Sequence, residues 1–397
     1  MRRLLCALAM LVCAVSADAQ PNLSKSMPPT YLYATDYGVI PDGTTDNSTA
    51  LQAVIDAAEA GGIRTIFFPP GEIEFRSSLT VQGNAIIFQG CGGNANTPTE
   101  TTVGTTLFFQ PPAGSAPDAI TVTNSQGVVF RDMNINCTDL DSGDVLTFVD
   151  CTLCSIENCR LTLNADEAAG LAVVRFTSVD NTRGCTGNRI YNCYIGAAGG
   201  TTASRECYGV HLACTDATGG RFVTDNVIMM TKFANFENPG AAIRIDGLSN
   251  CDCANNKFVG DVVSVPTDGV DAGIDSNNGD RNQFFAMQVD AAVAATVVMN
   301  FDANSEYNVF MGMNGGQLTD SQTTSERKLS ILDFTPSGTH DFQIPWISLY
   351  HRGNSPSATT NGTIWIGSRD GGAGDSVFFR LGGSQFKLNP TSLLSAP

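Results

Sequence analysis

Asp36-Tyr37-Gly38-Val39-Ile40-Pro41-Asp42-Gly43-Thr44-Thr45-Asp46 leads into an amphipathic segment and then into Thr65-Ile66-Phe67-Phe68-Pro69-Pro70-Gly71. Asp46, Asn47 or Ser48 supplies a helix cap. Leu51, Val54, Ile55 and Ala58 recur at helical spacing as one apolar stripe, and Gly61-Gly62 stops it. The aromatic and β-branched run from Thr65 to Phe68 is a strand that Pro69-Pro70-Gly71 turns. Across the 397 residues only 15% are charged while 40 are Gly, a balance of strands and turns rather than of helical surfaces.

Beyond that entrance the chain repeats itself. Strand-like units recur at Ala119-Ile120-Thr121-Val122, Val145-Leu146-Thr147-Phe148, Val173-Val174-Arg175-Phe176, Gly209-Val210-His211-Leu212, Ala242-Ile243-Arg244-Ile245, Ala272-Gly273-Ile274-Asp275 and Val298-Met299-Asn300-Phe301. A second unit follows each, with Asp132, Asn158, Asn192, Asn226, Asn256, Asn282 or Asn308 near its turn, at successive separations of 26, 34, 34, 30, 26 and 26 residues. A coiled solenoid keeps its strands and varies its turns, which gives uneven spacing of this size. Asn suits such turns because it tolerates left-handed backbone and hydrogen-bonds to its counterpart one coil on. Gly90-Cys91-Gly92-Gly93 has the wrong spacing for a dinucleotide loop and no helix follows it, so it is a turn between strands.

The opening block resembles the N-terminal signature of the pectate-lyase and polygalacturonase superfamily: an acidic-aromatic-Gly start, Asp-Gly-x-x-x-Asp, an amphipathic helix, then a strand ending in Pro-x-Gly. The resemblance implies an all-β, right-handed parallel β-helix over residues 31–336 whose open N-terminal end is capped by the helix. It also extends to phage tailspike-type proteins, which are often homotrimers and some of which are non-catalytic. The pattern changes near Ser337, and 337–397 reads as a small C-terminal β module whose Gly362-Thr363-Ile364-Trp365 is similar to tail-fibre modules.

Arg2 and Arg3, the apolar run from Leu4 to Val15 and Ala17-Asp18-Ala19 form a secretory signal over residues 1–19, with a polar lead-in over 20–30. A secreted, extracellular or periplasmic location is the expectation, without membrane insertion. Removing the signal takes two of the 13 Cys and leaves an odd 11, so at least one thiol is free or paired between molecules. Cys159 and Cys193 hold equivalent places in successive units, as a disulfide or as a packed thiol ladder. Cys151-x-x-Cys154 and Cys251-x-Cys253 lack a second pair at zinc-ribbon spacing. A net charge of −17 without any basic run argues against nucleic acid as partner. It admits an anionic polysaccharide only through a local basic patch or a bridging cation.

Side chains alternate in and out along a strand. With the aliphatic pair of each unit inward, one outward row reads Thr121, Thr147, Arg175, His211, Arg244, Gly273, Asn300. A second, two residues on, reads Thr123, Val149, Thr177, Ala213, Asp246, Asp275, Asp302. Coils stack about 4.8 Å apart, so Asp246, Asp275 and Asp302 form an acidic column flanked by Arg244. Such carboxylates serve as a glycosidase pair, one with a raised pKa as general acid, or as oxygen ligands for Ca²⁺. In a lyase, Arg244, Arg175 or His211 neutralises or deprotonates a uronate and Ca²⁺ is the cofactor; a hydrolase needs none. Asn300 and Arg175 are the substrate-binding candidates, and plain pairing of Asp with Arg is the alternative for the column. Phe109, Tyr208 and Tyr350 are candidates for stacking on sugars or for packing, and His340 and His351 have no evident partner. The polygalacturonase motifs Asn-Thr-Asp, Gly-Asp-Asp, Gly-His-Gly and Arg-Ile-Lys are all missing. In Ile243-Arg244-Ile245-Asp246 an Asp stands where the Lys would be, so that family's catalytic residues do not carry over. The expected function is a polysaccharide lyase or glycoside hydrolase, with a glycan-binding or tailspike-like structural protein as the alternative.

Overall fold

The computed structural model describes residues 31–92, 104–112, 117–138, 143–164, 170–179, 183–197, 205–214, 221–234, 236, 239–248, 251–265, 273–291, 297–302, 305, 308–311 and 317–320, then short strands over 330–332, 335–336, 342–343, 363–367, 376–381 and 384–388. The proposed signal and lead-in lie outside the described residues, as do His340, Tyr350 and His351. No helix among the described residues is long and apolar enough to cross a membrane.

Strand pairing settles the architecture. Between Tyr31 and Leu332 the strands pair in parallel, each with the strand one coil on, so the chain winds through long sheets of eleven, nine and eight strands. A four-stranded sheet runs along one corner. Inward positions hold aromatic and aliphatic side chains that stack along the axis: Phe88 on Phe130 at 4.6 Å between centroids, Phe148 on Phe176 at 5.1 Å, and Phe258 on Phe284 at 4.9 Å. All six are buried, each removal from water being worth roughly 1.5–3 kcal/mol. Phe109 belongs to this core, packed on Phe75, so it is not a sugar platform.

The opening motif anchors the cap. Asp42 accepts the Thr45 and Thr44 amides at 2.8 and 2.9 Å, and these bonds hold its pKa at about 2. Asp46 receives the Ser48 amide at 3.0 Å and the Arg76 amide at 3.2 Å. Asn47 ties Ile40 to Glu74 through its side-chain amide. The helix α1, Ser48–Gly61, then buries Leu51, Val54, Ile55 and Ala58 over the first coil, the stripe expected from the sequence. It ends at Gly62 with φ +60, the left-handed cap that Gly adopts most readily.

The Asn row resolves into two columns. Asn158 and Asn192 stack at one corner, each with positive φ. Asn226, Asn256, Asn282 and Asn308 stack at another, where their predecessor is Asn188 rather than Asn192. Cys159 and Cys193 are free, buried thiols in the core, so the ladder and not the disulfide is realised. In the C-terminal region Thr363–Gly367, Ser376–Leu381 and Ser384–Leu388 pair antiparallel as a three-stranded sheet.

Candidate functional site

The nine-stranded sheet carries the polar outer row. Five of its strands matter: β1 (Leu146–Val149), β2 (Leu171–Ser178), β3 (Arg205–Cys214), β4 (Pro239–Asp246) and β5 (Ile274–Asn277). Register places Thr147 beside Arg175, Arg175 beside His211, His211 beside Arg244, and Arg244 beside Asp275. Asn300 stands next, opposite Asp275. This is the first row expected from the sequence with one correction: Asp275 occupies the place assigned to Gly273.

The correction follows from β5. Ile274 aligns with Ile243, and Ser276 with Ile245, so a serine fills an inward position. Ser276 is fully buried and pairs with the Ser305 hydroxyl at 3.1 Å, which satisfies it inside the core. Asp246 therefore stands beside Asn277, not beside Asp275. Asp302 turns away to accept the Asn278 amide at 2.9 Å and the Ser305 hydroxyl at 2.8 Å. The expected column of three carboxylates does not exist.

What the sheet assembles instead is a chain of alternating charges. Asp144, just before β1, receives Arg175 Nε and, at 3.0 Å, Arg175 Nη2. Arg175 Nη2 also reaches the Gly170 carbonyl at 2.7 Å, and Nη1 donates to His211 Nδ1 at 2.5 Å. His211 Nε2 meets Asp246 Oδ2 at 2.7 Å. Arg244 Nε contacts both oxygens of Asp246, at 2.8 and 2.9 Å, and its Nη1 binds Asp275. The Tyr208 ring sits edge-on to His211 at 4.9 Å, with the Arg244 guanidinium 5.7 Å from its centroid. Gly209, between Tyr208 and Val210, lets β3 lie close to β4: a Cβ there would fall 2.4 Å from the Ala242 carbonyl.

The electrostatics follow from these contacts. Burial works to raise the Asp246 pKa, but the hydrogen bonds from His211 and Arg244 outweigh it and hold the carboxyl at about 2. Asp246 is thus an ionised acceptor, and the raised acid expected from two neighbouring carboxylates is not formed. His211 has a side chain only 9% exposed. Burial pushes its pKa below 6.5, and the Arg175 charge adds to that, against the pull of Asp246. At neutral pH the imidazole is neutral.

Calcium takes oxygen ligands that converge on one point. Asp246 and Asp275 converge on the Arg244 guanidinium, and Asp302 on a backbone amide. No group of three His, Cys, Asp or Glu suited to a metal occurs among the described residues. This donor set does not fit the cation. Asp144 escaped the sequence reading, although Asp118-x-x-Thr121 and Asp144-x-x-Thr147 repeat at one coil's spacing.

Residues 32–244, more than half of the chain, match the family model described as rhamnogalacturonase A/epimerase, pectate lyase-like. The chain belongs to this family. Among curated proteins, a stretch of 37 residues is 51% identical to mannuronan C5-epimerase AlgE6 of Azotobacter vinelandii, covering 9% of this chain and 4% of that protein. Among solved structures, the A-module of mannuronan C-5 epimerase AlgE4 of Azotobacter vinelandii is 11% identical, over 76% of this chain and 99% of that one, with a TM-score of 0.34. Tailspike gp49 of Acinetobacter baumannii bacteriophage Fri1, a capsular polysaccharide depolymerase, is 10% identical over 91% of this chain and 79% of that one, with a TM-score of 0.42. Membership of the rhamnogalacturonase A/epimerase family agrees with the winding that the strand registers define.

Proposed function

We propose that the chain is an exported enzyme acting on uronate-containing polysaccharides, and that its chemistry is proton transfer at the carbon beside the sugar carboxylate. The observation that carries this reading is the Arg175–His211–Asp246 contact on the outer face of the sheet. Glycoside hydrolysis calls for a protonated carboxylic acid, and Asp246, with a pKa of about 2, is ionised at neutral pH. Proton abstraction calls for a neutral base, a cation to hold the carboxylate and an anion to steady the protonated base. His211, Arg175 and Asp246 have those properties. A substrate carboxylate that takes Arg175 Nη1 releases the lone pair on His211 Nδ1. The C5–H bond then breaks, its proton passes to Nδ1, and its electron pair enters the carboxylate-stabilised carbanion. Expulsion of the 4-linked oxygen, protonated by water, yields an unsaturated uronate; return of a proton to the opposite face yields the epimer.

A second reading is a non-catalytic glycan-binding protein. It is favoured by the same ladder, in which Arg175, Arg244, Asp144 and Asp246 all already have protein partners. One experiment separates the two. The protein is incubated with polygalacturonate, alginate and a neutral glucan in D₂O, and followed by unsaturated-uronate absorbance and by deuterium at C5. Absorbance growth or deuterium uptake on a polyuronate, lowered about 10²–10⁴-fold in His211→Gln, is the expected result. Binding without either signal supports the second reading. New reducing ends without unsaturation or deuterium overturn the proton-transfer chemistry.

A further inference from the structure

The guanidinium of Arg175 is a rigid planar fork of donors with no acceptor. Asp144 takes two of its nitrogens, Nε and Nη2, and its own side chain is only 6% exposed. The Asp144 carboxylate is itself fixed, because it accepts the Ala172 amide at 2.7 Å and the Thr147 hydroxyl at 3.3 Å. One nitrogen of the fork, Nη1, is left to face His211 Nδ1. Since Nη1 can only donate, Nδ1 must present its lone pair. The imidazole proton then lies on Nε2, which faces Asp246, an acceptor-only carboxylate.

We propose that Asp144 is a positioning residue that sets the tautomer of His211 through Arg175. The idea rests on the proposed role of His211 for its meaning in turnover, but the tautomer itself does not depend on it. The charged and titratable groups around the imidazole are Arg175 from β2, Tyr208 from its own strand, Arg244 and Asp246 from β4, and Asp144 behind Arg175. Among the described residues, Arg175 faces Nδ1 and Asp246 faces Nε2.

The test is ¹⁵N NMR of histidine-labelled full-length protein at neutral pH. His211 is assigned by the signals missing in His211→Gln, since the chain has 3 His. The wild type should show an unprotonated Nδ1 and a protonated Nε2. A proton on Nδ1 in the wild type overturns the proposal without any variant. In Asp144→Asn the fork loses its anionic clamp, and the expected result is a mixed tautomer signal in place of the single one. Asp144→Glu should restore the wild-type pattern in part. An Asp144→Asn spectrum identical to wild type overturns the role of Asp144. Should that variant fail to fold, Arg175→Gln, whose amide oxygen accepts a proton from Nδ1, carries the same test. With a polyuronate substrate, Asp144→Asn should lower kcat/KM about 100-fold. If neither the wild type nor the variant turns over any polyuronate while the spectra behave as expected, the tautomer stands and the proposed chemistry falls.

Discussion

Asp261 occupies a place in the winding where its neighbours are apolar or self-satisfied. Along the same corner the inward residues are Met133, Cys159, Cys193, Thr231, Asp261 and Met287, all buried. Thr231 pairs its hydroxyl with the Met229 carbonyl, whereas Asp261 accepts the Thr231 amide at 2.8 Å with one oxygen and has no partner for Oδ2 among the described residues. Burial lifts its pKa to about 8, against the hydrogen bonds with Thr231 and Val259. The carboxyl is protonated in the fold below that value and ionised in the unfolded chain above 3.8. Between those limits the unfolded state binds fewer protons than the native one, so stability falls as pH rises from 3.8 through 8. Asp261→Asn keeps the acceptor for Thr231 and removes the ionisation. It should match the wild type in urea denaturation at pH 4 and exceed it at pH 8 by about 1–3 kcal/mol, the scale of an unsatisfied buried polar group. Equal differences at the two pH values would show that the side chain is solvated in the folded protein.

At the level of elements, the two Asn columns do different work although both read as turn Asn in sequence. In the inner column Asn256 Oδ1 accepts both the amide and the side chain of Asn226, at 3.1 and 3.0 Å, while its own Nδ2 reaches the Val223 carbonyl at 3.0 Å. All these groups are buried, so Asn256→Ala strands several of them and should cost about 2–5 kcal/mol. Asn192 sits at the half-exposed corner with φ +49 and bonds Asn158 through one contact. Asn192→Ala should cost about 1 kcal/mol, mostly from left-handed backbone. Similar midpoints in guanidinium for the two variants would erase the distinction. The same pair shows where the sequence was legible. Coil spacing, the capping helix and the outward row Thr147, Arg175, His211, Arg244 follow from apolar alternation, which the core enforces. Asn188 and Asn192 lie four residues apart in one coil, so turn chemistry alone does not say which continues to Asn226. The β5 register was hidden because Ser276 fills a place where alternation expects an aliphatic residue, and Ser305 compensates it from a different coil. Asp144 was hidden because it lies ahead of its strand and acts through Arg175.

For the whole molecule, charge sets the approach of substrate. Asp and Glu number 39 against 22 Lys and Arg, a net of −17, while the proposed contact for a uronate is the single prong of Arg175. A polyuronate therefore meets a repulsive field at distance and an attractive contact only on arrival. Debye screening shortens from about 30 Å at 0.01 M salt to about 8 Å at 0.15 M, which removes the long-range term and leaves the short one largely intact. Subsaturating turnover, kcat/KM, should thus rise roughly twofold to tenfold over that range, the reverse of a basic protein steering an anion. Initial rates on polygalacturonate or alginate at increasing NaCl, with binding of a neutral oligosaccharide as the salt-insensitive control, measure it. A steady fall in kcat/KM from the lowest salt upward would mean that the field at the site is positive, and that basic groups beyond Arg175 and Arg244 guide the polymer in.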